Sequence, residues 1–251
     1  MAAVYSIESR GYRYVEGVFQ YSAAVGALAG FEIERARFRR ALPMELAVQA
    51  IEAHLKRIAR PMNALCACEL RSPKPFTEGG FVSFNRDYVQ QLERWGLPSE
   101  GRNPVARTNI CPAVAPPASV SVHAFSYAVP KTSNSGASFI IAGSGEAPEG
   151  RGDYRDHAIR LGDRSPDGLR EKARWVLSEM ERRMSALSAG WTDTTAASLY
   201  TVYDVHPFVE VEIAARGAMA SGLEWHYARP PVVDLDYEMD ARATAREFVI
   251  D

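Results

Sequence analysis

The feature of this sequence that most constrains its fold is an order of elements that occurs twice. An amphipathic helix is predicted from Leu42 and another from Ser165, because apolar residues recur at helical spacing in both stretches. The apolar stripes of the two helices open with Leu46 and Leu169, which are 123 positions apart. Such an order predicts two similar structural units in one chain.

The segments around the two helices carry the same order. A strand is predicted before each helix, in residues 17–26 and 138–150, and another after each helix, in "ALCACEL" and "AASLYTVYDV". Near the end of each half an Ala-Arg pair leads into strand-like sequence, and its arginines, Arg107 and Arg229, are 122 positions apart. The spacing therefore indicates a tandem duplication of one α+β unit.

The boundary between the two units is predicted within residues 128–138. This stretch, "AVPKTSNSGAS", is rich in the Ser, Gly, Pro and Asn residues that are typical of linkers. We therefore expect an N-terminal unit at residues 1–129 and a C-terminal unit at residues 130–251, each of ordinary domain size.

Composition excludes several classes of protein. The 251 residues are 47% hydrophobic and carry a formal net charge of −2, so neither nucleic acid nor an anionic membrane surface is an expected partner. No apolar run approaches the ~20 residues that span a bilayer, and the N-terminus lacks the order of a signal peptide. A cytoplasmic location is expected.

Cysteine and histidine usage gives no reason to predict a metal site. The five histidines are scattered, and no second Cys pair or Cys/His cluster completes a zinc site. The three cysteines, Cys66, Cys68 and Cys111, are expected to be buried free thiols in a reducing compartment.

An acidic stretch near the C-terminus, "VDLDYEMD", alternates like a strand. Such a strand would place Asp234, Asp236, Glu238 and Asp240 on one face, where like charges repel unless they are solvated or neutralised. Two interpretations are open at this point. The carboxylates form a solvated sheet face, or one of them works together with Arg229.

The repeated order resembles that of the Rid (reactive intermediate deaminase) superfamily. The resemblance is carried in the C-terminal half by "FIIAGSGEAP", the helix from Gly168 and "YARPPVVDLDYEMDARA", and in the N-terminal half by "VSFNRDYVQQL" and "VARTN". It implies two chorismate-mutase-like α+β units in tandem, each a mixed β-sheet with two helices packed on one face. It also implies a homo-oligomer, with a trimer favoured and a hexamer left open, and sites in clefts between units.

The resemblance also assigns roles to residues. The Arg of the Ala-Arg motif, at Arg229 and Arg107 here, binds a substrate carboxylate, and Glu238 orients the water that attacks an imine carbon. The first copy departs from this pattern, because His123 stands where the Glu is expected; His123 either accepts a proton or is structural. Asn109 stands where the family often has a Cys, two residues after the Arg.

Further substrate-binding candidates follow from the same resemblance. Ser22 and Ser144 end the two motif strands and could bind a carboxylate or water. Asn85 is expected to orient a carboxylate, and Glu146 stands where the family often has Gln.

The activity implied is cofactor-independent hydrolysis of an enamine or imine. A two-unit chain of this length resembles the deaminases that act on 2-aminomuconate or its chlorinated analogue in the breakdown of aminophenols and nitroaromatics. Two Arg-bearing units at one cleft would suit such a dicarboxylate. Two alternatives are open: a chorismatase-like hydrolase of another dicarboxylate, and a non-catalytic ligand-binding module.

Overall fold

The computed structural model of the chain describes residues 3–98, 101–132 and 136–251. None of the helices in these residues is both long and apolar enough to cross a lipid bilayer. The strands of this part of the chain are β1 (Val4–Ile7), β2 (Tyr12–Val15), β3 (Ala24–Ala27), β4 (Phe31–Pro43), β5 (Leu65–Arg71), β6 (Ala106–Pro112), β7 (Ser121–Pro130), β8 (Phe139–Gly145), β9 (Ala196–Tyr200), β10 (Leu223–His226), β11 (Ala228–Arg229), β12 (Glu238–Ala243) and β13 (Arg246–Ile250). The α-helices are α1 (Met44–Arg57), α2 (Glu78–Arg94), α3 (Tyr154–His157), α4 (Pro166–Ala186) and α5 (His206–Phe208). Shorter helical turns are at Glu8–Arg10, Met62–Ala64, Trp191–Asp193 and Ala214–Arg216, with a π-helical turn at Val209–Ile213.

One sheet is formed mainly by the N-terminal half and has the strand order β11-β6-β5-β7-β4-β13. β5 runs parallel to β6 and antiparallel to β7, so the sheet is mixed. Helices α1 and α2 cover one face of it, where Ile51 and Leu92 join the same buried apolar cluster as Phe125 of β7. This half of the chain therefore has the α+β layering expected from the sequence.

The other sheet has the order β1-β2-β3-β8-β12-β9-β10. Helix α4 packs on it, and its start matches the sequence prediction because the Ser165 hydroxyl accepts a hydrogen bond from the Gly168 N–H. Where a second helix is expected, the chain forms the short helix α5 and the π-helical and 3-10 turns that follow it. Phe208 and Ile213 from this segment fill the core beneath α4. Of the two helices predicted on one face, α4 is therefore long and the second is reduced to short turns.

The central strands of the two sheets have the same arrangement. The order β4-β7-β5-β6 in one sheet is matched by β8-β12-β9-β10 in the other, with the same parallel and antiparallel neighbours. The terminal segments cross between the halves, because β1 to β3 extend the C-terminal sheet and β13 pairs with β4. The division at residues 129 and 130 stays a prediction, and residues 133–135 of the expected linker lie outside the described residues.

The first predicted motif strand is wrong in extent and in place. Of residues 17–26, only 24–26 belong to a strand, β3, and this strand pairs with β8 of the other half. The strand that leads into α1 is β4, which continues to Pro43, so the helix begins at Met44 rather than Leu42. The thirteen residues of β4 include many charged side chains, so the spacing of apolar residues did not reveal this strand.

The acidic stretch is also not one strand. β12 begins only at Glu238, and Asp234 adopts the left-handed conformation with φ +76°. Asp236 is buried and pairs with Lys172 at 2.7 Å. The alternation of apolar and acidic residues therefore spans a turn and a strand. Asp236, Glu238 and Asp240 are all buried, so the interpretation as a solvated sheet face is wrong for these three residues.

The three cysteines are buried and unpaired, as the sequence predicts. Burial raises the pKa of the Cys68 thiol to about 12, and it raises that of Cys111 to about 12 as well. Both thiols therefore stay protonated near neutral pH and behave as small apolar side chains.

Candidate active site

A cavity lies where the two sheets meet, and both halves of the chain contribute to its walls. The space between its protein atoms is about 400 Å³ when the open mouth is included. We call it the inter-sheet cavity. The residues that line it are Tyr21, Phe81, Arg107, Asn109, Gly143, Gly145, Ala147, Glu149, Tyr154, Pro231, Val232, Leu235 and Glu238.

Arg107 of β6 is the cation of this cavity. Only 3% of the residue is exposed, and its Nη1 has no hydrogen-bond partner among the described residues. Its guanidinium carbon lies 4.9 Å from the ring centres of Tyr21 and Tyr88 and 5.6 Å from those of Phe81 and Phe84. Aromatic faces attract a cation but do not satisfy its N–H groups, so the arrangement favours an anionic ligand.

Glu238 faces the same cavity from the other half of the chain. Burial raises the pKa of its carboxyl well above the ordinary value, and the negative charge of Asp240 raises it further. Glu146 and Glu149 raise this pKa as well, whereas Arg107 lowers it. Glu238 therefore keeps its proton to a higher pH than an exposed glutamate, which makes it a candidate general acid.

A glycine in β8 leaves the room that Glu238 occupies. A Cβ atom at Gly143 would overlap Oε1 of Glu238 and would lie 3.2 Å from Cγ2 of Thr108. Glycine at this position therefore lets the carboxyl lie flat against the backbone of the neighbouring strand.

Asp240 lies two residues beyond Glu238 and has different surroundings. Its Oδ2 accepts hydrogen bonds from the hydroxyls of Thr108, at 2.7 Å, and Tyr200, at 2.9 Å. Thr108 belongs to the other sheet, so this contact also joins the two halves. These two donors favour the charged form of Asp240, although burial raises its pKa.

Arg229 does not line the inter-sheet cavity. It lies on β11 beside Cys111, its Nη1 donates to the Tyr203 hydroxyl at 3.1 Å, and its Cζ is 5.6 Å from the centre of that ring. Two residues of the following turn, Pro231 and Val232, do line the cavity. The structure thus brings Arg107, and not Arg229, together with Glu238.

His123 lies in a second cleft between the sheets. Burial and then the charge of Arg71 lower the pKa of His123 to about 3, so its ring is neutral near pH 7. The structure does not bring His123 together with Glu238 in the inter-sheet cavity. The second cleft is lined by Arg35, Arg37, Glu69, Arg71, His123, Ser198, Tyr200, Glu224, His226, Arg242 and Glu247.

Three other predicted polar residues, Ser22, Asn85 and Ser144, are buried. Ser22 Oγ and Asn85 Oδ1 have no hydrogen-bond partner within the described residues. Ser144 lies 3.5 Å from Nη2 of Arg183. None of the three is among the lining residues, so their roles in binding stay predictions.

Glu146 has a clear structural contact set. Its carboxylate accepts the backbone N–H groups of Asp236, at 2.6 Å, and Tyr237, at 3.1 Å, and lies 3.3 Å from Nζ of Lys172. Burial raises its pKa even though these partners oppose the shift. Glu146 thus anchors the turn before β12, and Lys172 supplies the balancing charge that this position needs.

Sequence reasoning missed several residues of the cavity. Tyr21 and Glu149 lie in the two predicted motif stretches, residues 17–26 and 138–150, but nothing in the sequence assigned them a role. Tyr154 comes from a segment with no motif, and only the fold brings the three to the site. Asn109 carried a signal, because it follows Arg107 by two positions and strand alternation places both on one face.

Comparison with known proteins agrees with this architecture. The family described as 2-aminomuconate deaminase CnbZ matches residues 4–248. The chain belongs to this family. A 2-amino-5-chloromuconate deaminase of Comamonas testosteroni is 50% identical over 241 residues, which are 96% of each chain.

A solved structure shows the same fold at low identity. The crystal structure of a chorismatase aligns with a TM-score of 0.53 and 13% identity, over 92% of this chain and 79% of the other. At this identity the likeness concerns the fold alone. The CnbZ family member described here is thus an α+β protein with two mixed sheets and few helices.

Proposed function

We propose that this protein is a hydrolytic deaminase of 2-aminomuconate or its 5-chloro analogue. The observation that carries the proposal is that Arg107 and Glu238, from different halves of the chain, line one cavity. A guanidinium whose Nη1 has no hydrogen-bond partner among the described residues suits an anionic group, and a carboxyl with a raised pKa suits proton donation to an enamine. Family membership and the 50% identical deaminase support this substrate class.

The reaction follows from these two groups without a cofactor. Arg107 binds one carboxylate of the substrate. Glu238 gives its proton to the enamine carbon, which leaves a C=N group with a positively charged nitrogen. The carboxylate then takes a proton from water as the water oxygen bonds to the carbon of that C=N group.

The second half of the reaction restores the acid. Glu238 protonates the nitrogen of the carbinolamine, the C–N bond breaks and ammonia leaves. The remaining hydroxyl returns its proton to Glu238 as the C=O bond of the 2-oxo acid forms. One water is consumed and one ammonia is released in each turnover.

The wider biological setting belongs to this proposal. The substrate is a product of aminophenol or nitroaromatic breakdown, and the enzyme acts in the cytoplasm. The two units are tandem copies of the Rid type, which would assemble further as a trimer or hexamer. The matching order of the central strands and the chorismatase-like fold support this description.

The test is release of ammonia from 2-aminomuconate formed in situ by ring cleavage of 2-aminophenol and oxidation of the semialdehyde. Wild type is expected to release one ammonia for each substrate lost. Glu238→Gln is expected to lower kcat at least about a hundredfold, the usual effect of losing a general acid-base group. Chorismate in a parallel assay tests the fold neighbour's substrate. Turnover of chorismate without ammonia release from 2-aminomuconate would overturn the proposal.

A further inference from the structure

Asn109 has a buried amide whose nitrogen end is unpartnered within the part of the chain that the structure describes. The residue is 3% exposed, and its Oδ1 accepts a hydrogen bond from the Ser72 hydroxyl at 2.9 Å. Its Nδ2 has no partner among the described residues. Because Ser72 takes the oxygen end, the NH₂ end remains available in a residue that lines the inter-sheet cavity.

The amide shares a strand face with the cation of the cavity. Asn109 follows Arg107 by two positions on β6, so both side chains leave the sheet on the same side. Their Cα atoms are about 7 Å apart by the rise of a strand. This separation suits two ends of one extended small molecule.

The charges that line the cavity leave one end of a dicarboxylate without a cation. Glu149 is already engaged, since it pairs with Arg183 at 3.0 Å and accepts the Tyr21 hydroxyl at 2.8 Å. The proton of Glu238 goes to the enamine carbon and the leaving nitrogen in the proposed reaction, so this carboxyl is not assigned to bind a substrate carboxylate. Among the described lining residues, Arg107 is the single residue with a guanidinium or ammonium group. If Arg107 binds one carboxylate of the substrate, the other carboxylate must therefore meet a neutral hydrogen-bond donor.

We propose that Asn109 donates a hydrogen bond from Nδ2 to the second carboxylate of the substrate and thereby makes the cavity select dicarboxylates. Ser72 acts as a positioning residue, because its hydroxyl fixes which end of the amide faces the ligand. The inference rests on the proposed function for the identity of the substrate. It adds a specificity residue to the site.

Binding of two unreactive probes tests the selectivity. The conjugated six-carbon diacid, muconate, and the monoacid of the same chain length, 2,4-hexadienoate, differ only in the second carboxylate. Calorimetry is expected to show that wild type prefers the diacid. Asn109→Ala should weaken diacid binding about tenfold to a hundredfold, as expected for a hydrogen bond to a charged group, and leave the monoacid within about twofold.

Two further variants and a control sharpen the result. Asn109→Asp keeps the shape but adds a negative charge, so it should weaken the diacid more than Asn109→Ala does. Ser72→Ala should have an intermediate effect on the diacid, and it provides the same test if Asn109→Ala does not fold. Asn63→Ala, on the turn Met62–Ala64, is the matched control.

The outcomes separate this inference from the proposed function. Unchanged selectivity in Asn109→Ala and Ser72→Ala, or equal weakening of both acids, would overturn the role of Asn109. If wild type releases ammonia from 2-aminomuconate in that case, the proposed function still stands. If wild type releases none but selects the diacid through Asn109, the proposed function fails and the binding role holds.

Discussion

At the scale of single residues, three neighbouring carboxylates differ because their partners differ. Asp236 pairs with Lys172 and Arg164, and Asp240 accepts two hydroxyl hydrogen bonds. Glu238 lies between them, buried, and the negative charges around it raise its pKa. Glu238 is therefore expected to keep its proton to a higher pH than an exposed glutamate does, and it lines the cavity.

The raised pKa of Glu238 gives a stability prediction with a definite sign. Its folded-state pKa lies above the unfolded value, so its contribution to stability is fully present below the unfolded pKa and is lost as pH rises through the folded pKa. A Gln side chain does not titrate, so its contribution to stability does not fall as pH rises. The free energy of unfolding of Glu238→Gln minus that of wild type should therefore be larger at pH 8 than at pH 5. Urea unfolding at both pH values measures this difference.

The exposed Glu93 of α2 provides the control for this experiment, since Glu93→Gln removes a solvated carboxylate. Its effect should change little between the two pH values. A Glu238→Gln effect that is equal at both pH values would contradict a raised pKa.

At the scale of elements, the turn of residues 231–237 is the piece that positions Glu238. The Glu146 carboxylate accepts hydrogen bonds from two backbone N–H groups, those of Asp236 in this turn and of Tyr237. Lys172 of α4 pairs with both Glu146 and Asp236. Lys172 is 0% exposed, so these charges depend on each other and not on water.

Replacing this lysine should therefore be costly. Lys172→Met keeps the length of the side chain, but it leaves Glu146 without its ammonium partner and Asp236 with Arg164 alone. Loss of this buried cation is expected to lower the free energy of unfolding by about 3–5 kcal/mol. Chemical denaturation measures the loss. Lys56→Met, at an exposed position of α1, should change the free energy of unfolding by less than about 0.5 kcal/mol. Equal effects of the two variants would show that the buried cluster contributes little.

At the scale of the whole molecule, periodicity and spacing predicted the α+β class and the start of α4, and cysteine usage predicted buried thiols. They missed β4, whose charges hide its apolar face, and the turn that interrupts the acidic stretch, because residues 233–237 alternate without forming a strand. They also could not show which Arg joins Glu238. That choice depends on β11 leaving one sheet to pair with β6 of the other.

The exchange of terminal strands explains why one cavity needs both halves. β1 to β3 complete the sheet that carries Glu238, β13 completes the sheet that carries Arg107, and Thr108 binds Asp240 across the contact. Neither half alone presents both groups. We therefore infer that the site is built from Arg107 and Glu238, with Arg229 outside it.

Comparing Arg107→Ala with Arg229→Ala, the matched arginine of the second half, tests this composition of the site. Arg107→Ala should lower kcat/KM for ammonia release from 2-aminomuconate by at least about tenfold, since a charge-assisted contact to the substrate carboxylate is lost. Initial rates over a range of substrate concentrations measure this. Arg229→Ala should keep kcat/KM within about threefold of wild type. Loss of activity in Arg229→Ala with activity retained in Arg107→Ala would show that the site lies elsewhere.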